Sequence, residues 1–310
     1  MKIYHHIHEF EKIQNAIVTI GTFDGVHLGH QKIIQRLCEL AQERNGESVL
    51  LTFFPHPRMI IDPENQSLKL INTIAEKSEI LSKLGLDHLI ISPFTRDFSN
   101  LSASDYVEKI LVEKIGTKSL IVGYDHRFGK DRQGGMSELK IFAQQFKFEV
   151  EEIPEQDIHD VAVSSTKIRE ALGKGQVELA ADYLGYFFSL SGPVIKGDKI
   201  GRTIGFPTAN IFIEETYKLI PGDGIYAVTV DMENQKSYKG MAYIGQRPTI
   251  NGMTRNIEVN IFDFTEEIYG QKIKMNFLKF LRPDVKFDGL ESLTKQLHQD
   301  KNDALAYFKY

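Results

Sequence analysis

The feature that most constrains this chain is a glycine-rich turn between an apolar run and a helical pattern. The run Ala16–Ile20 is typical of a buried strand, and Gly21–His30 separates it from residues 31–41, whose apolar side chains recur at helical spacing. Strand, turn and helix in this order predict one unit of a parallel α/β sheet. At the start of the helix, the turn would offer backbone N–H groups to an anion, and its glycines would let a phosphate approach closely.

Two histidines, His27 and His30, lie three residues apart at the start of this helix, so one helical turn places both on one face. Two imidazole donors aimed at one point suit the charge that develops during displacement at phosphorus. The residues alone leave three other interpretations open. Both histidines could be exposed, Gly25 and Gly29 could serve only the turn, or the pair could bind a metal, although no nearby acid or cysteine completes a ligand set.

Strand and helix patterns continue to alternate through the first half of the chain. Apolar runs predict strands at 48–54, 87–91, 119–123 and 148–153. Helical spacing predicts helices at 75–84 and, after a cap at Ser104 or Asp105, up to Leu111. This order is typical of a parallel sheet with right-handed crossovers, which binds its ligands at the carboxyl ends of the strands.

Three polar segments follow predicted strands. His56 lies in the proline loop 55–58, where a ligand contact and a rigid loop with a surface imidazole are equally good explanations. The loop 124–135 is rich in glycine and cations and is predicted to hold nucleotide phosphates and sugar, although a solvated surface loop is the alternative. The segment Ser164–Arg169 opens a helix with hydroxyls and cations, which favour an anion by dipole and by charge, or it is a plain helix cap.

Composition narrows the class of protein. With 310 residues, 42% hydrophobic and 25% charged, the chain is predicted to be a soluble globular protein of about two domains. A net charge of -5 argues against nucleic-acid binding through a bulk positive field. The single cysteine, Cys38, fits a reducing cytoplasm, and no apolar run is long enough to span a bilayer. The histidine-rich N-terminus is interpreted as a strand and turn.

From residue 187 the pattern changes to short strands and turns. About six strands without intervening helices predict a small antiparallel barrel, and the spacing of 290–308 predicts a final helix packed on it. The segment Gly197–Asn210 carries two glycines near a lysine and an arginine, which makes a phosphate loop plausible. Thr208 and Asn210 would share one side of a strand and suit Mg²⁺, whereas a polar turn before a strand is the alternative.

Taken together, these motifs resemble the bacterial bifunctional riboflavin kinase/FAD synthetase family over nearly the whole chain. The adenylyltransferase half is similar at Gly21–His30, Gly123–Gly129 and Ser164–Arg169, and the flavokinase signature at the segment that ends in Pro207-Thr208-Ala209-Asn210. Further similarity lies at 243–249, 256–260, 281–283 and the final helix. The resemblance implies a Rossmann-like nucleotidyltransferase domain with a parallel sheet at 1–184, and at 185–310 a riboflavin kinase domain, an antiparallel β-barrel with a C-terminal helix.

The resemblance implies two reactions, phosphorylation of riboflavin to FMN and adenylylation of FMN to FAD, with ATP as co-substrate and Mg²⁺ as cofactor. Glu258 would be the general base of the kinase, and His27 and His30 would stabilise the adenylyl transfer. The implied ATP and phosphate ligands are Gly21, Phe23, Asp24, Gly25, Asp125, Ser165, Thr166, Arg169, Gly197, Lys199, Gly201 and Arg202. The implied flavin contacts are His56, Pro57, Arg247 and Arg282, and the implied metal ligands are Thr208 and Asn210.

Two residues depart from the family pattern. Asn260 stands where many members have histidine, and Ala162 stands where some have arginine, which bears on phosphate binding in the adenylyl step. The alternatives are therefore a riboflavin kinase with a weak or inactive adenylyltransferase half, a non-catalytic flavin-binding regulator, and a tRNA-binding protein, against which charge and length argue. The expected partners are riboflavin, FMN, FAD and ATP, with no nucleic acid, no membrane and no obligate protein partner.

Overall fold

The computed structural model describes residues 1–64, 67–124, 126–154, 163–197, 200–249 and 252–309. Their contacts divide the chain into two compact units, Met1–Ser165 and Thr166–Tyr310. The domain boundary after residue 184 stays a prediction. Asp125, Ala162 and Lys199 lie outside the described residues, as does the side chain of Arg247.

A parallel sheet forms the centre of the first unit. In the described part of the chain its six strands have the order β1-β4-β3-β2-β5-β6. They are β1 (Lys2–Tyr4), β2 (Ala16–Ile20), β3 (Glu47–Phe53), β4 (His88–Ser92), β5 (Thr117–Gly123) and β6 (Glu149–Ile153). The chain runs outward from β2 through β3 to β4 and then returns to place β5 on the other side of β2. The carboxyl end of β2 is therefore the switch point at which such sheets bind ligands.

The helices of the first unit cover both faces of this sheet. They are α1 (Leu28–Glu43), α2 (Pro57–Ile61), α3 (Ile74–Lys83), α4 (Arg96–Ser99), α5 (Ala103–Asp105), which continues as the π-helix Tyr106–Ile115, and α6 (Met136–Phe146), with 3₁₀ turns at Ile7–Glu9 and Lys130–Arg132. Alternation along β2 sends Val18 and Ile20 into the core that the π-helix and α6 cover, and Ile17 into the core under α1 and α3. Burial on both faces explains why the strands read as continuous apolar runs.

Side-chain caps begin two helices of the first unit. Thr73 caps α3, in a capping box in which its hydroxyl accepts from the N–H of Glu76 and the Glu76 carboxylate accepts from the N–H of Thr73. The prediction of a cap at Ser104 or Asp105 was wrong. Ser102 caps α5, because its hydroxyl accepts from the N–H of Asp105 and also donates to the Asp105 carboxylate.

A closed antiparallel barrel dominates the second unit. Its order among the described residues is β10-β11-β8-β7-β12-β9. The strands are β7 (Ser189–Ile195), β8 (Ala209–Ile211), β9 (Gly224–Met232), β10 (Ser237–Thr249), β11 (Gly252–Ile261) and β12 (Lys272–Arg282). The helices are α7 (Ser165–Gly173, which begins with the last residue of the first unit), α8 (Val177–Leu184), α9 (Ile200–Thr203) and α10 (Leu290–Tyr307).

The final helix packs on the barrel as its spacing predicts. Ala304 of α10 joins a buried cluster with Phe206, Ala227 and Met241. The predicted fold class, a parallel α/β sheet followed by a small antiparallel barrel with a C-terminal helix, is confirmed. Among the residues described, no helix is long and apolar enough to cross a membrane.

Candidate functional site

The glycine turn that follows β2 reverses the chain within a few residues. Gly25 has a φ of 89°, in the left-handed region that glycine adopts without cost, whereas Phe23 and Val26 have φ values of 44° and 36°. Positive φ is rare for a large or β-branched residue and marks stored strain. A Cβ on Gly21 would lie 3.0 Å from the Phe23 ring, so this glycine allows the ring to fold back on the turn.

Both predicted histidines lie in this turn and stack on each other. The ring centroids of His27 and His30 are 3.6 Å apart, and the ring of Phe23 lies on the other side, 4.6 Å from that of His30. His27 caps α1, since its Nδ1 accepts from the N–H of His30 at 3.4 Å. This leaves its Nε2 as the nitrogen that donates in the neutral ring. Nδ1 of His30 is shielded from solvent and has no hydrogen-bond partner among the described residues.

Burial keeps both imidazoles neutral. It lowers the pKa of His27 to about 4, although the charge of Asp24 acts in the opposite direction. The pKa of His30 is well below its ordinary value, first because of burial and then because a proton on His30 would be repelled by a protonated His27 and by the charge of Lys77. At neutral pH the pair therefore offers neutral N–H donors to an anion.

Asp24 and Ser165 fix the turn from two directions. Oδ1 of the buried Asp24 accepts from the N–H of Ile71 at 2.9 Å. The Ser165 hydroxyl donates to the carbonyl of Asp24 at 2.8 Å. The first residue of α7 therefore contacts the segment Gly21–His30, which we call the histidine turn, and the prediction places both in one phosphate site. Thr166 is exposed and Arg169 half-buried further along α7, in the second unit, and their roles stay predictions.

Sequence reasoning missed one residue here, Lys77 of α3. Its side chain is buried, and Nζ donates to the carbonyl of Thr22 at 2.6 Å, an oxygen that also accepts from the Thr52 hydroxyl at 3.2 Å. Burial lowers the pKa of Lys77 to about 8, while the charge of Asp24 acts against this shift. The helical pattern gave no signal, because it does not show which side of α3 meets the turn.

The other first-unit candidates lie on neighbouring loops. His56 is buried and caps α2, with Nδ1 accepting from the N–H of Arg58 at 3.2 Å, and Pro57 is the first residue of that helix. The loop 124–135 is held by a backbone bridge where it is described, and its role in holding nucleotide stays a prediction. Phe128 is buried and exchanges backbone hydrogen bonds of 3.1 and 2.9 Å with Gly134. The flavin role of His56 and Pro57 stays a prediction.

In the second unit, Thr208, Asn210 and Glu258 come together. Asn210 of β8 lies opposite Glu258 of β11 in the strand register, and the Thr208 hydroxyl donates to Oε2 of Glu258 at 3.0 Å. Asn256, which sequence reasoning missed, donates its Nδ2 to Oε1 of the same carboxylate. It lies two residues before Glu258 on the strand, so both side chains are on one face. The carboxylate is thereby held by both oxygens.

Glycines shape the loop in front of this group. A Cβ on Gly197 would lie 2.8 Å from Cγ of Asn210 and closer still to its Nδ2, so the amide packs directly on the Gly197 backbone. A Cβ on Gly201 would collide with the carbonyl oxygen of Phe206, whose N–H donates to the Gly201 carbonyl at 2.8 Å. Arg202 follows Gly201 on α9 and is exposed. Its predicted role as a phosphate ligand stays a prediction.

Asn260 and Arg282 have structural partners. Nδ2 of Asn260 donates to the carbonyl of Pro207 at 2.7 Å, so this departure from the family pattern anchors the residue before Thr208. The Arg282 guanidinium forms two 2.7 Å hydrogen bonds with the buried carboxylate of Asp300 on α10. Its predicted contact with flavin stays a prediction.

A shallow groove, widely open to solvent and lined by this one helix, lies on α10 close to this loop. Its lining residues are Leu290, Glu291, Thr294, Lys295 and His298, and its volume is about 530 Å³. The ring of His298 lies edge-on to Phe206, with the centroids 4.9 Å apart. The groove therefore adjoins the segment that leads into Thr208.

The oxygen chemistry of the second unit fits a hard cation. A hydroxyl, an amide and a carboxylate are grouped at Thr208, Asn210 and Glu258, and such oxygens suit Mg²⁺ that keeps waters and binds substrate phosphate. In the part of the chain that the structure describes, no group of three histidine, cysteine or carboxylate side chains forms an all-protein metal site.

Comparison with known protein families also divides the chain into two segments. A family model described as FAD synthetase matches residues 9–167, and one described as riboflavin kinase matches residues 184–308. The two helices α7 and α8 lie largely between the matched segments.

Curated relatives cover almost the whole chain. A bifunctional riboflavin kinase/FMN adenylyltransferase of Listeria monocytogenes is 39% identical over 95% of this chain and 93% of its own. Proteins of the same name from Haemophilus influenzae and Bacillus subtilis are 37% and 36% identical, each over 99% of this chain and at least 98% of their own.

A solved structure has the same fold over nearly its full length. A crystal structure described as a macrolide-efflux protein from Streptococcus pneumoniae has a TM-score of 0.88 and 30% identity, and the match covers 97% of each chain. Its description names a different activity from that of the curated relatives. The two family models and the curated relatives agree with each other.

Proposed function

The chain belongs to the family of bifunctional riboflavin kinase/FMN adenylyltransferases, and we propose that it converts riboflavin to FMN in its second unit and FMN to FAD in its first. The observation that supports this division is that each unit holds its own group of phosphate-handling side chains. Stacked neutral imidazoles at a helix N-terminus lie in the first unit, and a carboxylate held beside hydroxyl and amide oxygens lies in the second.

In the kinase reaction the 5′-hydroxyl of riboflavin attacks the γ-phosphorus of ATP, the bond to the β-phosphate oxygen breaks, and ADP leaves. We assign the proton of the hydroxyl to Glu258, whose carboxylate is oriented by Thr208 and Asn256. Such reactions depend mainly on positioning and charge stabilisation. Thr208 and Asn210 would hold Mg²⁺, which would withdraw negative charge from the transferring phosphoryl group.

The groove on α10 is the proposed site of the flavin ring. It is about 530 Å³ in volume, has Leu290 and His298 in its lining, and adjoins Phe206. This position would direct the ribityl chain toward Thr208, which lies two residues after Phe206. It would also direct the chain toward Glu258, which hydrogen-bonds to Thr208 from the paired strand β11.

In the adenylyl reaction a phosphate oxygen of FMN attacks the α-phosphorus of ATP, and the electron pair of the broken bond leaves with pyrophosphate. His27 and His30 would donate N–H groups to the α-phosphate as charge develops, and the positive end of α1 acts in the same direction. No proton has to be removed from the attacking phosphate oxygen at neutral pH. Neutral imidazoles, which donate hydrogen bonds and accept no proton, are therefore sufficient for this reaction.

The test uses riboflavin, ATP and Mg²⁺, with FMN and FAD separated by chromatography. Glu258→Gln should abolish FMN formation and leave FAD formation from supplied FMN intact, while His30→Ala should do the reverse. Glu267→Gln and His5→Ala, both at exposed positions, are the matched controls. Loss of both activities in Glu258→Gln would contradict separate sites, and normal FAD synthesis by His30→Ala would remove the histidines from the mechanism.

The same assay decides between this proposal and its rivals. A kinase with an inactive first unit would accumulate FMN and form no FAD, and a non-catalytic flavin binder would consume no ATP. We further propose the cytoplasm as the compartment, since the single cysteine fits reducing conditions.

A further inference from the structure

Lys77 of α3 is an unusual residue to find buried against the histidine turn. Its side chain is only 4% exposed, and lysines are rarely buried unless a carboxylate pairs with them. Among the described residues, however, Nζ lies within ion-pair distance of no carboxylate, and its hydrogen-bond partner is the carbonyl oxygen of Thr22 at 2.6 Å. Burying a charge in this way is costly for stability, which calls for a functional reason.

The hydrogen bond to Thr22 sets the orientation of one peptide group in the turn. Lys77 and Thr52 both donate to the Thr22 carbonyl, at 2.6 and 3.2 Å, and hold it toward the interior. Because the carbonyl and the N–H of a trans peptide point in opposite directions, the N–H of Phe23 is directed away from Lys77. A carbonyl turned outward would repel an incoming phosphate.

The charge of Lys77 complements the stacked imidazoles. His27 and His30 are neutral near pH 7, so they donate hydrogen bonds but contribute no positive charge. Lys77 interacts electrostatically with His30 and with the carboxylate of Asp24. Adenylyl transfer brings two anionic phosphates together, so a fixed cation behind the turn lowers their repulsion in the transition state.

We infer that Lys77 is a positioning residue for adenylyl transfer, which acts from behind the histidine turn by holding the Thr22 carbonyl inward and by supplying a fixed positive charge. The inference rests on the proposed function of this site. It assigns no direct contact with substrate, and the bonds made and broken are those of the adenylyl reaction described above.

Three variants separate the cationic donor at position 77 from general effects on the helix. Lys77→Met keeps the length of the side chain but removes both charge and donor, Lys77→Arg keeps both, and Lys83→Met removes an exposed lysine of the same helix that pairs with Glu79. Lys77→Met should lower kcat for FAD formation from FMN roughly 10- to 100-fold, less than the roughly 100- to 1,000-fold cost of losing a donor that contacts the reacting oxygens, because Lys77 acts through the turn. Lys77→Arg should retain most activity, and Lys83→Met should equal the wild type. Riboflavin kinase activity in each sample should stay unchanged.

A pH profile of the wild type needs no variant and isolates the charge. A deprotonated amine still donates to Thr22, so the turn is kept while the charge is lost. FAD formation should therefore decline as the pH rises through about 8, where Lys77 titrates. The groups that interact electrostatically with Lys77 are Asp24 and His30, and the pKa values of His30 and of the adjacent His27 are lowered by burial to well below this range. In Lys77→Arg the decline should be absent.

The outcomes are distinguishable from failure of the proposed function. If His30→Ala lacks FAD synthesis but Lys77→Met stays within twofold of the wild type, the role of Lys77 is refuted and the site stands. A decline at high pH that persists unchanged in Lys77→Arg would likewise refute it. If His30→Ala keeps full activity, the site itself is wrong.

Discussion

The substitution Gly197→Ala tests how closely the kinase side chains must be placed. Gly197 follows β7 and packs on the Asn210 amide, and its φ lies outside the left-handed region, so alanine meets no backbone strain. The new methyl group would lie 2.8 Å from Cγ of Asn210 and 3.1 Å from its Oδ1. The perturbation is therefore steric and local.

Its magnitude follows from these distances. Ordinary contacts of a Cβ atom begin at 3.4 Å, so the amide of Asn210 must withdraw by roughly 0.5–1 Å. Displacing a positioning group by about 1 Å costs on the order of 100-fold in rate. We expect kcat of riboflavin phosphorylation to fall roughly 30- to 100-fold, because Asn210 would no longer hold the cation and phosphate in register with Glu258.

The assay measures both activities of one preparation. FMN formation from riboflavin should fall, and FAD formation from supplied FMN should be unchanged, since the first unit holds that site. Gly173→Ala is the control, because a Cβ there would meet no atom within 4 Å. If Gly197→Ala retains full kinase activity with an intact fold, close placement of Asn210 is not required, and its assignment as a ligand is refuted.

Three further substitutions or conditions give measurable effects. Asp300→Asn leaves Arg282 without its buried carboxylate and should lower the free energy of unfolding in urea by about 3 kcal/mol, whereas Asp303→Asn, exposed on the same helix, should have little effect. Thr73→Ala removes the capping box of α3 and should cost about 1 kcal/mol in the same measurement. The free energy of unfolding should also fall as the pH drops from 6.5 toward 4, by up to about 1.4 kcal/mol per unit from His27. The unfolded chain binds this proton over that window while the folded chain does not, so the slope should be smaller in His27→Gln.

Much of the fold could be predicted because its elements are amphipathic or fully buried. Every residue of Ala16–Ile20 is buried, so the strand reads as a continuous apolar run. The five apolar positions predicted for α1, Ile33, Ile34, Leu37, Leu40 and Ala41, are all buried. The barrel strand Ser189–Ile195 alternates between buried and more exposed residues, as the change to short strands after residue 187 predicts.

Elements with weak patterns were missed. The helix Met136–Phe146 buries Leu139 and leaves Ile141 exposed, so its apolar spacing gives little signal. The helix predicted up to Leu111 extends as a π-helix to Ile115. Its wider turns follow from packing and have no pattern in the sequence.

In the two candidate sites, too, sequence patterns identified some of the residues and missed others. His27, His30, Thr208 and Asn210 lie within the short segments that define their motifs, so local spacing identified them. Asn256 reaches Glu258 through strand pairing, and Lys77 reaches the histidine turn because one side of α3 packs beneath it. Strand register and helix packing are tertiary facts, decided by the whole core rather than by any short segment. Sequence reasoning that starts from a loop therefore finds the groups that the loop carries. Residues such as Asn256 and Lys77, which orient those groups through contacts from other elements, can be identified only in the folded structure.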